Sequence, residues 1–167
     1  IRPIPVTRGP GEHFFGYYDK HQWDPTGRYL LGCRADFRNR TPGPDDILTL
    51  GLIDAEKEFS FQPFAETRAW CWQQGCMLQW VPNTDLIIYN DRIGDRFVAV
   101  LFDPRDQSRR VLPRPVYTIS PDGKKALSLN FSRLAVTRPG YGYNGLEDFR
   151  REQMQPADDG IYLLDLE

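Results

Sequence analysis

Trp23-Asp24-Pro25-Thr26-Gly27-Arg28-Tyr29-Leu30-Leu31 recurs twice further along the chain. The later copies read Trp80-Val81-Pro82-Asn83-Thr84-Asp85-Leu86-Ile87-Ile88 and Ile119-Ser120-Pro121-Asp122-Gly123-Lys124-Lys125-Ala126-Leu127. Each copy holds an apolar residue, a proline two positions later, a polar turn and an apolar run. Proline presets one turn angle and Gly or Asn tolerates the other, so the phrase reads as a tight reversal between two strands.

A second phrase follows each copy. Leu50-Gly51-Leu52-Ile53-Asp54, Ala99-Val100-Leu101-Phe102-Asp103 and Tyr162-Leu163-Leu164-Asp165 are apolar strands that end in aspartate. Polar turns come after the first two, and a further extended stretch follows each turn, Phe59 to Phe64 and Arg110 to Val116. The unit is therefore four strands, and the prolines at 25, 82 and 121 space it by 57 and 39 residues. Four strands at a period near 40 to 50 residues predict β-propeller blades. The expected fold is all-β: a single incomplete domain over 1–167, a partial β-propeller of four-stranded antiparallel blades. Blade one spans about 13–66, blade two about 67–116, and an incomplete blade three about 117–167. The expected inner strands are Gln22-Trp23, Gly75 to Trp80 and Tyr117 to Ile119. The only helix candidate is a short charged turn at Leu146 to Gln153, ended by Pro156.

Ser120-Pro121-Asp122-Gly123-Lys124 and Gly160-Ile161-Tyr162-Leu163-Leu164-Asp165 resemble the blade signature of TolB-like propellers, over nearly the whole chain. The segment His13-Phe14-Phe15-Gly16-Tyr17-Tyr18-Asp19-Lys20 resembles bacterial propellers related to the oligogalacturonate lyases. The lyase resemblance implies a metal held by several histidines and a glutamine, with proton abstraction beside a uronate. Only His13 or one of the glutamines matches such a ligand here, so a divalent metal needs further ligands from other blades. Whether the chain is catalytic stays open.

In a blade, loops joining strand two to strand three and links between blades share one face of the disc. That face receives Arg34 to Asp46, Asn90 to Arg96, Asn130 to Asp159, and the links Glu12 to Lys20 and Glu66 to Gly75. Long loops on a rigid scaffold usually carry function. The candidate ligand-binding residues there are His13, Tyr17, Asp19, Lys20, Trp72, Gln73, Gln74, Asn90, Arg92, Asn130 and Arg133. Aromatic planes stack on pyranose faces, while amides and arginines bind hydroxyls or uronate carboxylates. The expected ligand is a carbohydrate, uronate-containing sugars included; the alternative is a non-catalytic TolB-like scaffold binding a protein or peptide. Alternatives also stand for single residues: Trp70 and Trp72 as packing, Tyr17-Tyr18 as a plug between blades, Arg34 and Arg92 as bridges.

A net charge of −2 with scattered basic residues gives no nucleic-acid footprint. No apolar run approaches the roughly 18 residues of a membrane span. A start at Ile1 rather than Met leaves the compartment, cytoplasmic or periplasmic, undetermined. Cys33, Cys71 and Cys76 are odd in number and lack metal-site spacing, so they are expected as buried free thiols. Blade flanks without neighbours expose apolar surface, so the isolated chain is expected to self-associate.

Overall fold

The computed structural model describes residues 2–167. Strands β1 (Glu12–Phe14), β2 (Tyr29–Ala35), β3 (Leu48–Asp54) and β4 (Ser60–Thr67) form an antiparallel sheet in chain order. A second follows with β5 (Gln79–Trp80), β6 (Ile87–Ile93), β7 (Arg96–Phe102) and β8 (Arg109–Leu112). The third holds β9 (Thr118–Ile119), β10 (Lys125–Ser128) and β11 (Tyr162–Asp165), and helix α1 (Phe131–Thr137) lies between β10 and β11.

The repeated phrase makes one turn three times. The amides of Asp24, Val81 and Ser120 donate to the carbonyls of Tyr29, Leu86 and Lys125 at 2.9, 2.9 and 2.8 Å. The positive φ falls on Gly27 (72°), Asn83 (60°) and Gly123 (77°), residues that tolerate it. The aspartates ending the third strands also repeat: carboxylates of Asp54, Asp103 and Asp165 accept the amide two residues on, at 3.0, 2.9 and 3.0 Å. Such local bonds favour turns over continued strand, as the sequence position implied.

Successive strand residues point to opposite faces, and here both faces of the second sheet are used. Ile87, Tyr89, Val100 and Phe102 pack with Leu31, Cys33, Leu48 and Leu50 of the first sheet. Their neighbours Ile88, Ala99 and Leu101 pack with Ala126 and Leu164 of the third. Each fully buried aliphatic of this kind contributes about 1.5–3 kcal/mol. Trp80 is 8% exposed, and its indole N–H donates to the Gln22 carbonyl at 3.1 Å. The three sheets therefore stack face to face in chain order.

Three expectations need correction. Glu12 to Phe14 is not a link: these residues form β1 and pair with Cys33 to Ala35. Gln22-Trp23 carries on the same edge, with a bridge from Trp23 to Leu30. Residues 15–21 leave the sheet between the two pieces. The Phe14 ring, 6.2 Å from Trp70 and 5.2 Å from Trp72, anchors the first piece. Asn90 to Arg96 is not a loop either. β6 and β7 run on to the Ile93–Arg96 pair, closed by Gly94 and Asp95, with φ +59° at Gly94. The helix lies at α1, not at Leu146 to Gln153, where the chain only makes turns. Asn130 caps α1 by accepting the Arg133 amide at 3.1 Å, and Phe131 stacks on Tyr143 at 4.2 Å.

Trp80→Ala is expected to cost about 3–5 kcal/mol as a buried aromatic truncation. Trp23→Ala, at the same repeat position but 49% exposed, is expected to cost much less. Urea denaturation of both variants followed by circular dichroism checks the difference.

Candidate functional site

The excursion at residues 15–21 carries the first sheet's side chains across the inner edges of the other two. Gly16 lies so close to the Gln74 carbonyl that a Cβ would stand 3.2 Å from it. The Lys20 ammonium sits 5.0 Å from the centre of the Tyr117 ring, and Gln74 Nε2 donates to the Tyr117 hydroxyl at 2.9 Å. Tyr17 meets Tyr141 edge to face at 6.3 Å. Segments attached to all three sheets thus converge on one end of the stack. Loop-to-loop bonds tie this end together: Asn144 Nδ2 donates to the Pro42 carbonyl at 2.7 Å, and Trp70 Nε1 to the Asp46 carbonyl at 2.9 Å.

The accessible part of this end is aromatic. Tyr17 and Tyr18 lie 4.3 Å apart, and Tyr18 is 83% exposed. The Arg138 guanidinium covers the Tyr141 ring at 3.8 Å, and Asp19 and Gln73 are exposed beside the row. Hydrogen bonding to Tyr141, followed by desolvation and Tyr18, pushes the Tyr17 phenol up to about 12. Beneath the row, Lys20 is buried and pairs with Asp19 at 2.8 Å. Both amide atoms of Gln22 and Oε1 of Gln74 are buried without protein partners. Trp72 lines a cleft of about 470 Å³ with Glu12, Arg38, Asn39, Arg40 and Thr41, and its indole donates to the Arg40 carbonyl at 2.7 Å.

Tyr17, Asp19, Lys20 and Gln74 are therefore brought together, with Trp72 and Gln73 on the same link. The other candidates are committed elsewhere. His13 points to the outer face of the first sheet, its ring 5.2 Å from Phe61. Burial first, then the charge of Arg34, lowers its pKa. Asn90 is wholly buried in β6, where it donates to the Val116 carbonyl and the Tyr143 hydroxyl at 2.8 and 2.9 Å and accepts from the Val116 amide at 2.7 Å. Arg92, also in β6, pairs with Asp45 at 3.2 Å and packs on Gly145. Arg133 donates to buried Asp148 at 3.1 Å and to the carbonyls of Arg150, Gln153 and Met154. Asn130 is spent on the helix cap and on Asp159 at 2.8 Å.

Three contributors escaped the sequence reading as site residues. Tyr117 was legible only as the start of an inner strand, and Arg38 and Asn39 only as part of a loop. A positive φ at Asn39 (62°) gave the loop its direction, and Asn is a residue type that tolerates it.

Among the described residues no group of three or more His, Cys, Asp or Glu side chains is placed to hold a metal ion. His13, packed on Phe61, and Gln74, bonded to Tyr117, are not brought together as the histidine–glutamine set that the lyase resemblance implies. The three cysteines are buried and unbridged, and burial pushes the Cys71 thiol up to about 11. No helix among the described residues is long and apolar enough to cross a membrane. Compared with known proteins, the chain matches no family model, no curated sequence and no solved structure.

Two measurements probe this arrangement. In Tyr141→Phe, Tyr17 is expected to titrate nearer the ordinary 10.0, read by ultraviolet absorbance between pH 8 and 13. Arg133→Ala leaves Asp148 short of a partner, so it is expected to lower stability by about 1–3 kcal/mol in thermal or urea melts.

Proposed function

We propose that the three sheets are successive blades of a β-propeller whose long-loop end binds an acidic carbohydrate, a uronate-containing oligosaccharide. The observation that carries the proposal is the Tyr17–Tyr18–Tyr141 row topped by Arg138, with Tyr18 exposed and Tyr17 and Tyr141 half-buried, assembled from first- and third-sheet segments that are far apart in sequence. Tyrosine faces stack on the apolar faces of pyranose rings, and a guanidinium beside them pairs with a carboxylate in two parallel bonds. The Trp72 cleft next to Arg38 and Asn39 offers the same chemistry to a neighbouring sugar. The repeated turn, the repeated aspartate and the stacking order support the propeller architecture.

A second function is favoured by a specific feature. Phe149 and Met154, on the loop between β10 and β11, are 91% and 94% exposed. Apolar side chains held in solvent suit a protein or peptide partner, as in a non-catalytic scaffold.

Calorimetry with oligogalacturonates and with neutral oligosaccharides of equal length separates the two. For a uronate site, Arg138→Ala is expected to weaken oligogalacturonate binding by about 1.5–3 kcal/mol, and Tyr18→Ala to weaken both ligands, with unchanged melting temperatures. No measurable binding of any acidic oligosaccharide by the unaltered chain would sink the carbohydrate proposal.

A further inference from the structure

Five asparagines stand in the chain, and Asn144 alone is followed by glycine. Arg40, Thr84, Asp91 and Phe131 follow the others, and each of those side chains crowds its own backbone nitrogen. A glycine leaves that nitrogen free to approach the preceding carboxamide. Asn144 and Gly145 are both exposed, in the loop between α1 and β11. The Gly145 amide donates to no backbone carbonyl among the described residues. Asn144 Nδ2 donates to the Pro42 carbonyl at 2.7 Å, and this bond ties the loop to the first sheet's loop. A second observation singles out the same dipeptide. A Cβ on Gly145 would collide with Arg92 Nη1, so the guanidinium lies directly against the glycine backbone. The Arg92 side chain is 15% exposed, whereas its carboxylate partner Asp45 is 87% exposed. The cation is therefore poorly screened where it faces Gly145.

We propose that Asn144 is a site of spontaneous deamidation, a modification that releases the loop after β10 from the first sheet. The Gly145 nitrogen gives up its proton and attacks Asn144 Cγ. The N–Cγ bond forms, the Cγ–Nδ2 bond breaks, and Nδ2 leaves as ammonia with that proton. Water then opens the five-membered imide, giving aspartate when it attacks Cγ and isoaspartate when it attacks the main-chain carbonyl. Arg92 promotes the first step, because a fixed cation favours the anionic nitrogen and the oxyanion that forms at Cγ. The product reverses the local bonding. A carboxylate has no donor for the Pro42 carbonyl, so the tie is lost. The new charge instead faces Arg92 and competes with Asp45 for it. Tyr141 and Arg138 precede Asn144 on the same loop, so the change reaches the tyrosine row. The modification itself is independent of what that row binds.

Incubation of the folded chain at mildly alkaline pH, with mass spectrometry of its tryptic peptides over time, is the first test. The peptide Leu134 to Arg150 contains Asn144 and no other asparagine. It is expected to gain about 1 Da, the exchange of an amide for an acid, before any peptide carrying Asn39, Asn83, Asn90 or Asn130 does. Arg92→Met is expected to slow the conversion several-fold, and Arg92→Lys, which keeps the charge, to restore it. Should Arg92→Met lose its cooperative melt, Asp45→Asn serves in its place: it removes the competing carboxylate and is expected to speed the conversion. Asn144→Asp presets the product and is expected to be cut faster than the parent by thermolysin in the loop between α1 and β11. A Leu134 to Arg150 segment that keeps its mass in the folded chain while the isolated peptide converts fully would overturn the proposal. So would a conversion rate indifferent to Arg92→Met or Asp45→Asn, or an Asn144→Asp loop as resistant as the parent's.

Discussion

Strand β6 alternates its side chains between two neighbours. Ile87 and Tyr89 enter the core shared with the first sheet, while Ile88 and Asn90 face the third. A one-residue slip of this strand would exchange the two sets, placing the amide of Asn90 in an apolar core and removing three buried hydrogen bonds. Register in β6 therefore sets the spacing of both junctions. It also fixes where residues 15–21 and the loop after β10 can meet.

Polar braces on the loop end follow from that spacing. Asn90 fastens the link at Val116 and the ring of Tyr143, so the loop after β10 is tied to the second sheet. Asn144 then fastens that loop to the first sheet's loop through Pro42, and Arg92 of β6 holds the same first-sheet loop through Asp45. Arg133 holds the remaining turns by their carbonyls. A guanidinium or amide whose donors are filled internally is poorly placed to serve a ligand, because binding would first have to break those bonds. The groups left over, Tyr17, Tyr18, Tyr141, Arg138, Gln73 and Trp72, make up the proposed recognition surface.

Aromatic residues serve opposite ends at different depths. Phe14, Phe37, Trp70 and Trp72 form a cluster with ring centres 5.1 to 6.2 Å apart, and this cluster pins β1 to the loop after β2. Trp70 is sealed in that core, whereas Trp72 keeps part of its surface in the cleft. Of the two roles open for the pair in sequence, packing holds for Trp70, while Trp72 keeps surface open beside it.

Local chemistry was enough to determine the all-β class, the strand pairs around each proline turn and the capping role of the three aspartates. Those features depend on residues a few positions apart, where proline, glycine and short polar side chains act directly on the backbone. The loop end was legible as a location, and Tyr17, Asp19, Lys20, Trp72, Gln73 and Gln74 were legible as its members. Which side chains are free was not, since Asn90, Arg92, Asn130 and Arg133 look the same in sequence whether their donors are filled or empty. Apart from the local cap that Asn130 makes on Arg133, the partners of their side chains lie between 15 and 53 residues away and meet them only in the folded chain. His13 was misplaced for a related reason. Its facing depends on β1 pairing with β2, and that pairing is held by Phe14 against tryptophans more than fifty residues further along the chain.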